Sequence, residues 1–287
     1  MRNILKMKKP RSIQLGKRHF QAFSEVVLLL TRHRDLTFEM ARRELTDRYA
    51  GQAFGLLWAI AHPLFLIGLY VFIFAFVFKQ RIGGTHDMPL DYTAYLLSGL
   101  LAWISFQESM SKGCTAITGN SALVKQVVFP LEVLPVKGVV ASLFSLIVSL
   151  FALITYVLAT NHSLPPTYLL LPILIVMQVM AMVGVAYILS SLGTYFRDLK
   201  DFVQLFVTFS VYLMPIFYLP AWVPGLFKPV LYLNPFSYLI WCYQDALYFG
   251  RIEHPFAWLF TPVASLLVFT IGYRFFRRLK PGFGNLI

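Results

Sequence analysis

The chain has 287 residues, 58% hydrophobic and 13% charged, with a formal net charge of +12 at pH 7. A soluble domain carries about 25% charged residues. That deficit, with a mean hydropathy of +0.67, excludes an ordinary soluble fold and predicts one domain threaded through a membrane. The Lys and Arg residues lie mostly outside the apolar stretches, so they read as a topology signal rather than a nucleic-acid footprint. The two cysteines, Cys114 and Cys242, fall on opposite sides of the expected layout, so no disulfide framework is expected.

Residues 1–53 form a basic amino-terminal segment. Its one apolar run, Val26 to Leu30, is short and far from the basic start, so no cleavable leader is expected. Residues 36–50 predict a short amphipathic helix. Phe38, Ala41, Leu45 and Tyr49 share one face, with Glu39, Arg43 and Asp47 opposite. Such a helix can lie at the membrane interface or dock on a partner.

A crossing helix needs roughly 20 apolar residues. Six segments qualify in turn: Phe54 to Phe78, Tyr92 to about Met110, Val139 to Thr160, Pro165 to Phe196, Phe202 to Leu219, and Phe256 to Tyr273. The expected fold is an all-α integral membrane protein, with six transmembrane helices over 54–273 and a tail over 274–287. Of the 25 Lys and Arg residues, all but Lys79, Arg81, Lys228 and Arg251 fall on one side of this layout. By the positive-inside rule that side, with both termini, is cytoplasmic.

Two connections stand out. Segment 111–138 is too polar to cross and ends in Phe129-Pro130-Leu131-Glu132-Val133-Leu134-Pro135, where two prolines break any long helix. The exterior connection from Pro220 to His254 is as apolar as a span. Pro220, Pro224, Pro229 and Pro235 cut it into pieces of about ten residues, which suits re-entrant helices. A complete extra pair of spans is the alternative.

Chemistry-bearing motifs are missing from the sequence. There is no Gly-x-x-x-x-Gly-Lys-Ser/Thr phosphate loop, no His-Glu-x-x-His and no Cys-x-x-Cys. His62, the one histidine inside a span, is expected to be a hydrogen-bonded structural residue. Glu108 is the one acidic residue inside a span. It sits near the cytoplasmic interface, where pairing with Lys112 at i+4 accounts for it. The absence of carboxylates near the midplane argues against an ion-coupled carrier. The absence of an acid, base or metal cluster argues against a membrane-embedded transferase.

Three ordered stretches carry a specific resemblance. The first is Arg43-Glu44-Leu45-Thr46-Asp47-Arg48-Tyr49, followed by Phe54-Gly55-Leu56-Leu57-Trp58 and His62-Pro63-Leu64. The second is Tyr95-Leu96-Leu97-Ser98-Gly99-Leu100-Leu101-Ala102-Trp103, continuing through Asn120 and Leu123-Val124-Lys125 to the Phe-Pro-Leu-Glu run at 129–132. The third is Tyr195-Phe196-Arg197-Asp198, then Pro215-Ile216-Phe217-Tyr218 and Leu233-Asn234-Pro235-Phe236. Together, over roughly residues 35–275, the chain resembles the permease subunits of the ABC transporters that export bacterial polysaccharides: O-antigen, capsule and teichoic acid. His62 stands where that family commonly has Gln. An ABC exporter for a small molecule or drug is the rival reading.

The resemblance implies that two copies of this chain assemble with two separate ATP-binding cassette subunits in the inner membrane. ATP and Mg would bind on those partners and no cofactor on this chain. The cargo would be a polysaccharide on a lipid carrier. Three groups of residues are then candidates. Asn120, Leu123, Val124 and Lys125, in a cytoplasmic helix over 117–127, would couple to the ATPase with Arg197 and Asp198. Phe65, Phe72 and Phe76 on span one and Phe202, Phe206, Phe209 and Phe217 on span five would line a channel. Aromatic faces stack on sugars without fixed charges; ordinary lipid-facing or packing Phe is the alternative. Trp222, Tyr232, Asn234, Pro235 and Tyr238 would form an exterior gate.

Overall fold

The computed structural model describes Glu25, Leu28 and residues 31–77, 89–125 and 129–286. The described residues are helical throughout their regular structure, with no strand among them. The chain runs through α1 (Arg34–Arg48), α2 (Leu57–Val71, continued by a π-helical stretch, Phe72–Val77) and α3 (Tyr92–Thr115). It continues through the one-turn α4 (Ser121–Val124), α5 (Val133–Asn161), α6 (Leu171–Tyr195) and α7 (Leu199–Ser210). Short α8 (Lys228–Leu233) and α9 (Pro235–Gln244) follow, then α10 (Pro255–Leu279) and a terminal turn, α11 (Phe283–Leu286).

Among the described residues, four helical stretches are long and apolar enough to cross a membrane: Leu57–Phe74, Val133–Asn161, Pro166–Tyr195 and Pro255–Gly282. The other two expected spans differ from that picture, each for a physical reason. Helix α3 has 24 residues, ample length, but includes Gln107, Glu108 and Lys112. It is buried along nearly its whole length by α5, α6, α7 and α9. A helix with so little face turned outward has no need of a continuous apolar surface.

The span expected from Phe202 to Leu219 is not one helix. Helix α7 has 12 residues and tightens into a 3₁₀ turn, Val211–Leu213, before the backbone becomes extended at Met214. Pro215 accounts for the break, because proline lacks an N–H and pushes the preceding residue out of helical geometry.

Close approach of backbones sets the core. Helices α6 and α10 make the most extensive helix pair, and two glycines lie at its centre. A Cβ on Gly184 would fall 2.5 Å from the backbone of Val268, and one on Gly272 would fall 2.2 Å from the carbonyl oxygen of Gly184. Small residues are what allow membrane helices to pack this tightly. Where α3 meets α6, a Cβ on Gly193 would fall 2.1 Å from the carbonyl oxygen of Cys114.

The described residues nearest the two termini share one end of the bundle. Glu25 pairs there with Arg277, and Lys280 binds Glu132 at 2.7 Å. The opposite end carries Asp91, which caps α3 and accepts from Tyr156. Cys114 and Cys242 are both free and buried.

Helix α1 docks on α5 through only part of the stripe the sequence picks out. Thr37 and Ala41 are buried, whereas Phe38 is 67% exposed. Glu44, one turn beyond Ala41, turns inward to an ion pair with Lys137. The inward face is thus partly polar, and Leu45 and Tyr49 are only half-buried.

Candidate functional site

Two helices display aromatic residues outward. On α2 and its π-helical extension, Phe65, Phe72 and Phe76 are all more than half exposed; on α7 so are Phe202 and Phe209, with Phe206 at 38%. Phe217 is half-buried and packs on Tyr70, Phe74 and Tyr212. A cavity of about 460 Å³ lies among α2, α3, α5 and α7, where His62, Tyr70, Gln107, Gln204, Thr208 and Tyr212 present ring faces and neutral polar groups. His62 is exposed on this cavity and makes no hydrogen bond among the described residues, so it is not the bonded structural histidine the sequence predicts.

Glu108 and Arg48 also line that cavity. The i+4 pair with Lys112 forms at 3.1 Å. Two further partners join it: Arg48 from α1 at 2.7 Å and the Ser145 hydroxyl of α5 at 2.7 Å. The carboxylate therefore ties α1, α3 and α5 together near the interface, and it is saturated by structural partners.

Away from the termini, the broken backbone after α7 is held by α3. Tyr95 donates to the carbonyl oxygens of Pro215 and Tyr218 at 3.0 and 3.2 Å, and Tyr92 donates to that of Phe217. The Gln244 amide donates to Pro215 as well, at 2.6 Å. Asn234 caps α9 by accepting from the Phe236 N–H at 3.1 Å, and Pro235 is the first helical residue. Trp222 stacks on Tyr92, while Tyr232 and Tyr238 both pack on Trp241. Helix α9 starts beside Trp103 and Phe106, deep along α3, and its continuation ends with Tyr248 donating to Leu90 O just before α3 begins.

Sequence reasoning missed two buried polar centres. Asp245 is fully buried and accepts from the His254 N–H at 3.0 Å and the Trp258 indole at 3.0 Å, with the His254 ring at 2.8 Å. Gln178 donates to Ala102 O and Ser105 Oγ, and accepts from Tyr243, so it joins α6 to α3 and α9. A lone Gln within the apolar run 171–187 was the signal for the second; the first had only its spacing from His254.

The segment expected to couple to an ATPase is not one continuous α-helix among its described residues. Its described residues form a 3₁₀ turn, Thr118–Asn120, followed by the single turn α4; residues 126 and 127 of the expected helix lie outside the described residues. Val124 is buried, Leu123 half-buried and Lys125 exposed. A cavity of about 410 Å³ brings Thr118 and Ser121 of this segment together with Arg197 and Lys200. Asp198 is exposed beside it, without a capping bond to α7. Asn120 turns the other way and accepts from Lys137 at 3.0 Å.

The sequence matches the ABC-2 type transporter family over residues 35–248. It is also similar to proteins named O-antigen export system permease protein RfbA. The relative from Klebsiella pneumoniae is 26% identical over 254 residues, spanning 88% of this chain and 95% of the relative. The relative from Myxococcus xanthus is 30% identical over 227 residues, spanning 78% and 84%. The break at Pro215, the tyrosines that hold it and the Asn-Pro start of α9 all lie within the matched region, and the chain belongs to the ABC-2 type transporter membrane family.

Proposed function

We propose that the chain is the permease subunit of an ATP-driven exporter that moves a lipid-linked polysaccharide of the O-antigen kind outward across the bacterial inner membrane. The observation that carries this reading is the near full-length similarity to permeases named for O-antigen export. The exposed aromatic faces of α2 and α7 fit it. A sugar polymer slides past ring faces and neutral amides more readily than past fixed charges, which would bind it at one point.

On this reading α3 crosses shielded by its neighbours. Helix α7 with its 3₁₀ turn makes the remaining crossing, giving six, and both termini are cytoplasmic. The short helices α8 and α9 dip into the outer leaflet, and Trp222, Tyr232, Asn234, Pro235 and Tyr238 gate the exit. Non-helical backbone at membrane depth is tolerated where protein satisfies it. The bonds from Tyr92, Tyr95 and Gln244 to residues 215–218 support such a placement. Two copies face each other across Phe65, Phe72, Phe76, Phe202, Phe206, Phe209 and Phe217. Two ATPase subunits, which hold ATP and Mg, press on Asn120, Leu123, Val124 and Lys125 with Arg197 and Asp198 beside them.

Deleting the gene tests the reading. The cell should accumulate glycan on its lipid carrier at the cytoplasmic leaflet and lose it from the surface, and this chain with its partner ATPase should restore both. Normal surface glycan in the deletion strain, with efflux of a small molecule lost instead, would overturn it.

A further inference from the structure

One buried cation links three segments at the terminal end of the bundle. Lys137 lies one turn into α5, with its side chain only 11% exposed. Its ammonium is 2.9 Å from Glu44 Oε2 on α1 and donates to Asn120 Oδ1 at 3.0 Å. The Asn120 amide nitrogen donates to Ala116 O at 2.8 Å, which fixes the amide with its oxygen toward Lys137. The backbone leaves this ammonium little freedom, because α3 and α5 touch here. A Cβ on Gly138 would meet Lys112 Cβ at 3.1 Å.

Helix α1 leads through the turns over 49–56 into α2, the helix with the exposed phenylalanines. Asn120 lies on the turn between α3 and α4, beside Leu123 and Val124. Lys137 thus stands between the segment where a partner would push and the helix that leads to the aromatic surface.

Glu44 is 31% exposed but Lys137 only 11%, so pulling Glu44 or Asn120 away leaves an ammonium that water reaches poorly, which costs more than parting an exposed pair. The three segments are therefore held to move together. We propose that Lys137 is a positioning residue that passes displacement of the turn at Asn120 to α1, and so to α2, through the Glu44 pair. This rests on the reading of the chain as an ATP-driven permease. A link through Arg48 and Glu108 reaches α1 from α3, but Arg48 is 47% exposed, and water can take over its half of that pair.

The test uses the complete transporter with its ATPase, with Cys114 and Cys242 replaced. Spin labels go at Phe38 on α1 and Ile271 on α10, a helix outside the linked group, both exposed. The unaltered complex should change this distance between nucleotide-free and vanadate-trapped states. Lys137→Met should lose more than half of that change, and glycan exported per ATP hydrolysed should fall by about tenfold, equivalent to about 1.4 kcal/mol of lost coupling. The conservative variant Lys137→Arg, which keeps a charged donor for both Glu44 and the Asn120 oxygen, should keep both.

An unchanged distance response in Lys137→Met overturns the relay and leaves the permease reading standing. So does a Lys137→Arg variant that assembles but keeps neither. If Lys137→Met fails to assemble, Asn120→Ala decides, since it keeps the Glu44 pair and cuts only the link to the turn. Retention of the full response there overturns the relay. No nucleotide-dependent change in the unaltered complex overturns the relay and the permease reading together.

Discussion

The Tyr95 hydroxyl, on α3, donates to the carbonyl oxygen of Pro215 at 3.0 Å across 120 residues of sequence. Pro215 supplies no N–H and stops α7, so carbonyls that an unbroken helix would have bonded need donors from elsewhere. Tyr95 meets two of them, and both tyrosine and break are buried. Tyr95→Phe should therefore destabilise the protein by about 1–3 kcal/mol, the cost of a buried group left unbonded. A lowered thermal midpoint together with faster amide exchange over residues 214–219 is the expected result. Unchanged exchange would mean that Gln244 and Tyr92 hold the break without it.

Gly272 offers a sharper test of packing. A methyl group there would lie 2.2 Å from the carbonyl oxygen of Gly184, and backbone cannot move aside as a flexible side chain can. Gly272→Ala should force α6 and α10 apart and cost on the order of 1–3 kcal/mol, the usual penalty for overpacking. Gly119, which has nothing within 4 Å of a Cβ, provides the control: Gly119→Ala should leave the thermal midpoint near that of the unaltered protein. Equal midpoints for the two variants would contradict the packing of this seam.

These two contacts mark what was and was not legible in the sequence. The apolar runs over α2, α5, α6 and α10 are visible because each turns a wide face outward, and composition reports that face. Pro215 was visible as a residue, yet hydropathy carried the expected span straight through it, since residues on both sides are apolar. Phe65, Phe72 and Phe76 could be placed on one face by spacing alone. Glu44 and Lys137 lie 93 positions apart, and no periodicity brings them together; only the docking of α1 on α5 does. The partly polar inward face of α1 escaped for the same reason.

Glu108 answers three partners from α1, α3 and α5. Glu108→Gln keeps the shape but removes the charge that Arg48 and Lys112 share. Lys112 is 15% exposed and suffers most, while Arg48 is half in water. The loss should be on the order of 2 kcal/mol, between the values for exposed and buried pairs. Adding Lys112→Met should recover part of it by removing the stranded ammonium. A double variant less stable than Glu108→Gln alone would show that Lys112 has other support.

The coupling segment should tolerate change in a graded way. Val124 is buried, Leu123 half-buried and Lys125 exposed. Leu123→Asp should weaken recovery of the ATPase with the permease while leaving membrane insertion intact. Val124→Asp should do so more severely, because it also places a charge against Phe129 and Leu131, which line the same cavity. Lys125→Ala should be mild. The check is the amount of ATPase retained on purified permease in each variant; a loss confined to Lys125→Ala would reverse the assignment.

The proposed exterior gate can be examined residue by residue. Phe236 packs on Trp103 and Phe106, with ring centroids 5.4 and 5.0 Å away. Those residues lie 11 and 14 positions beyond Tyr92, or about 16 and 21 Å along α3. The Asn234–Pro235 start of α9 is therefore deep relative to the end of the bundle at Asp91, while Tyr248 at the far end of the same segment is back beside Leu90. A loop lying flat on the surface would not show that descent. Leu226 is 83% exposed, whereas Asn234 is partly buried. With Cys114 and Cys242 replaced, a cysteine at 226 should react rapidly with an impermeant reagent added from outside. One at 234 should be protected at rest and become reactive when the ATPase turns over. Equal reaction at both positions in both conditions would rule out the gate. Reaction at 234 from the cytoplasmic side alone would place this segment across the membrane and overturn the six-crossing arrangement as well.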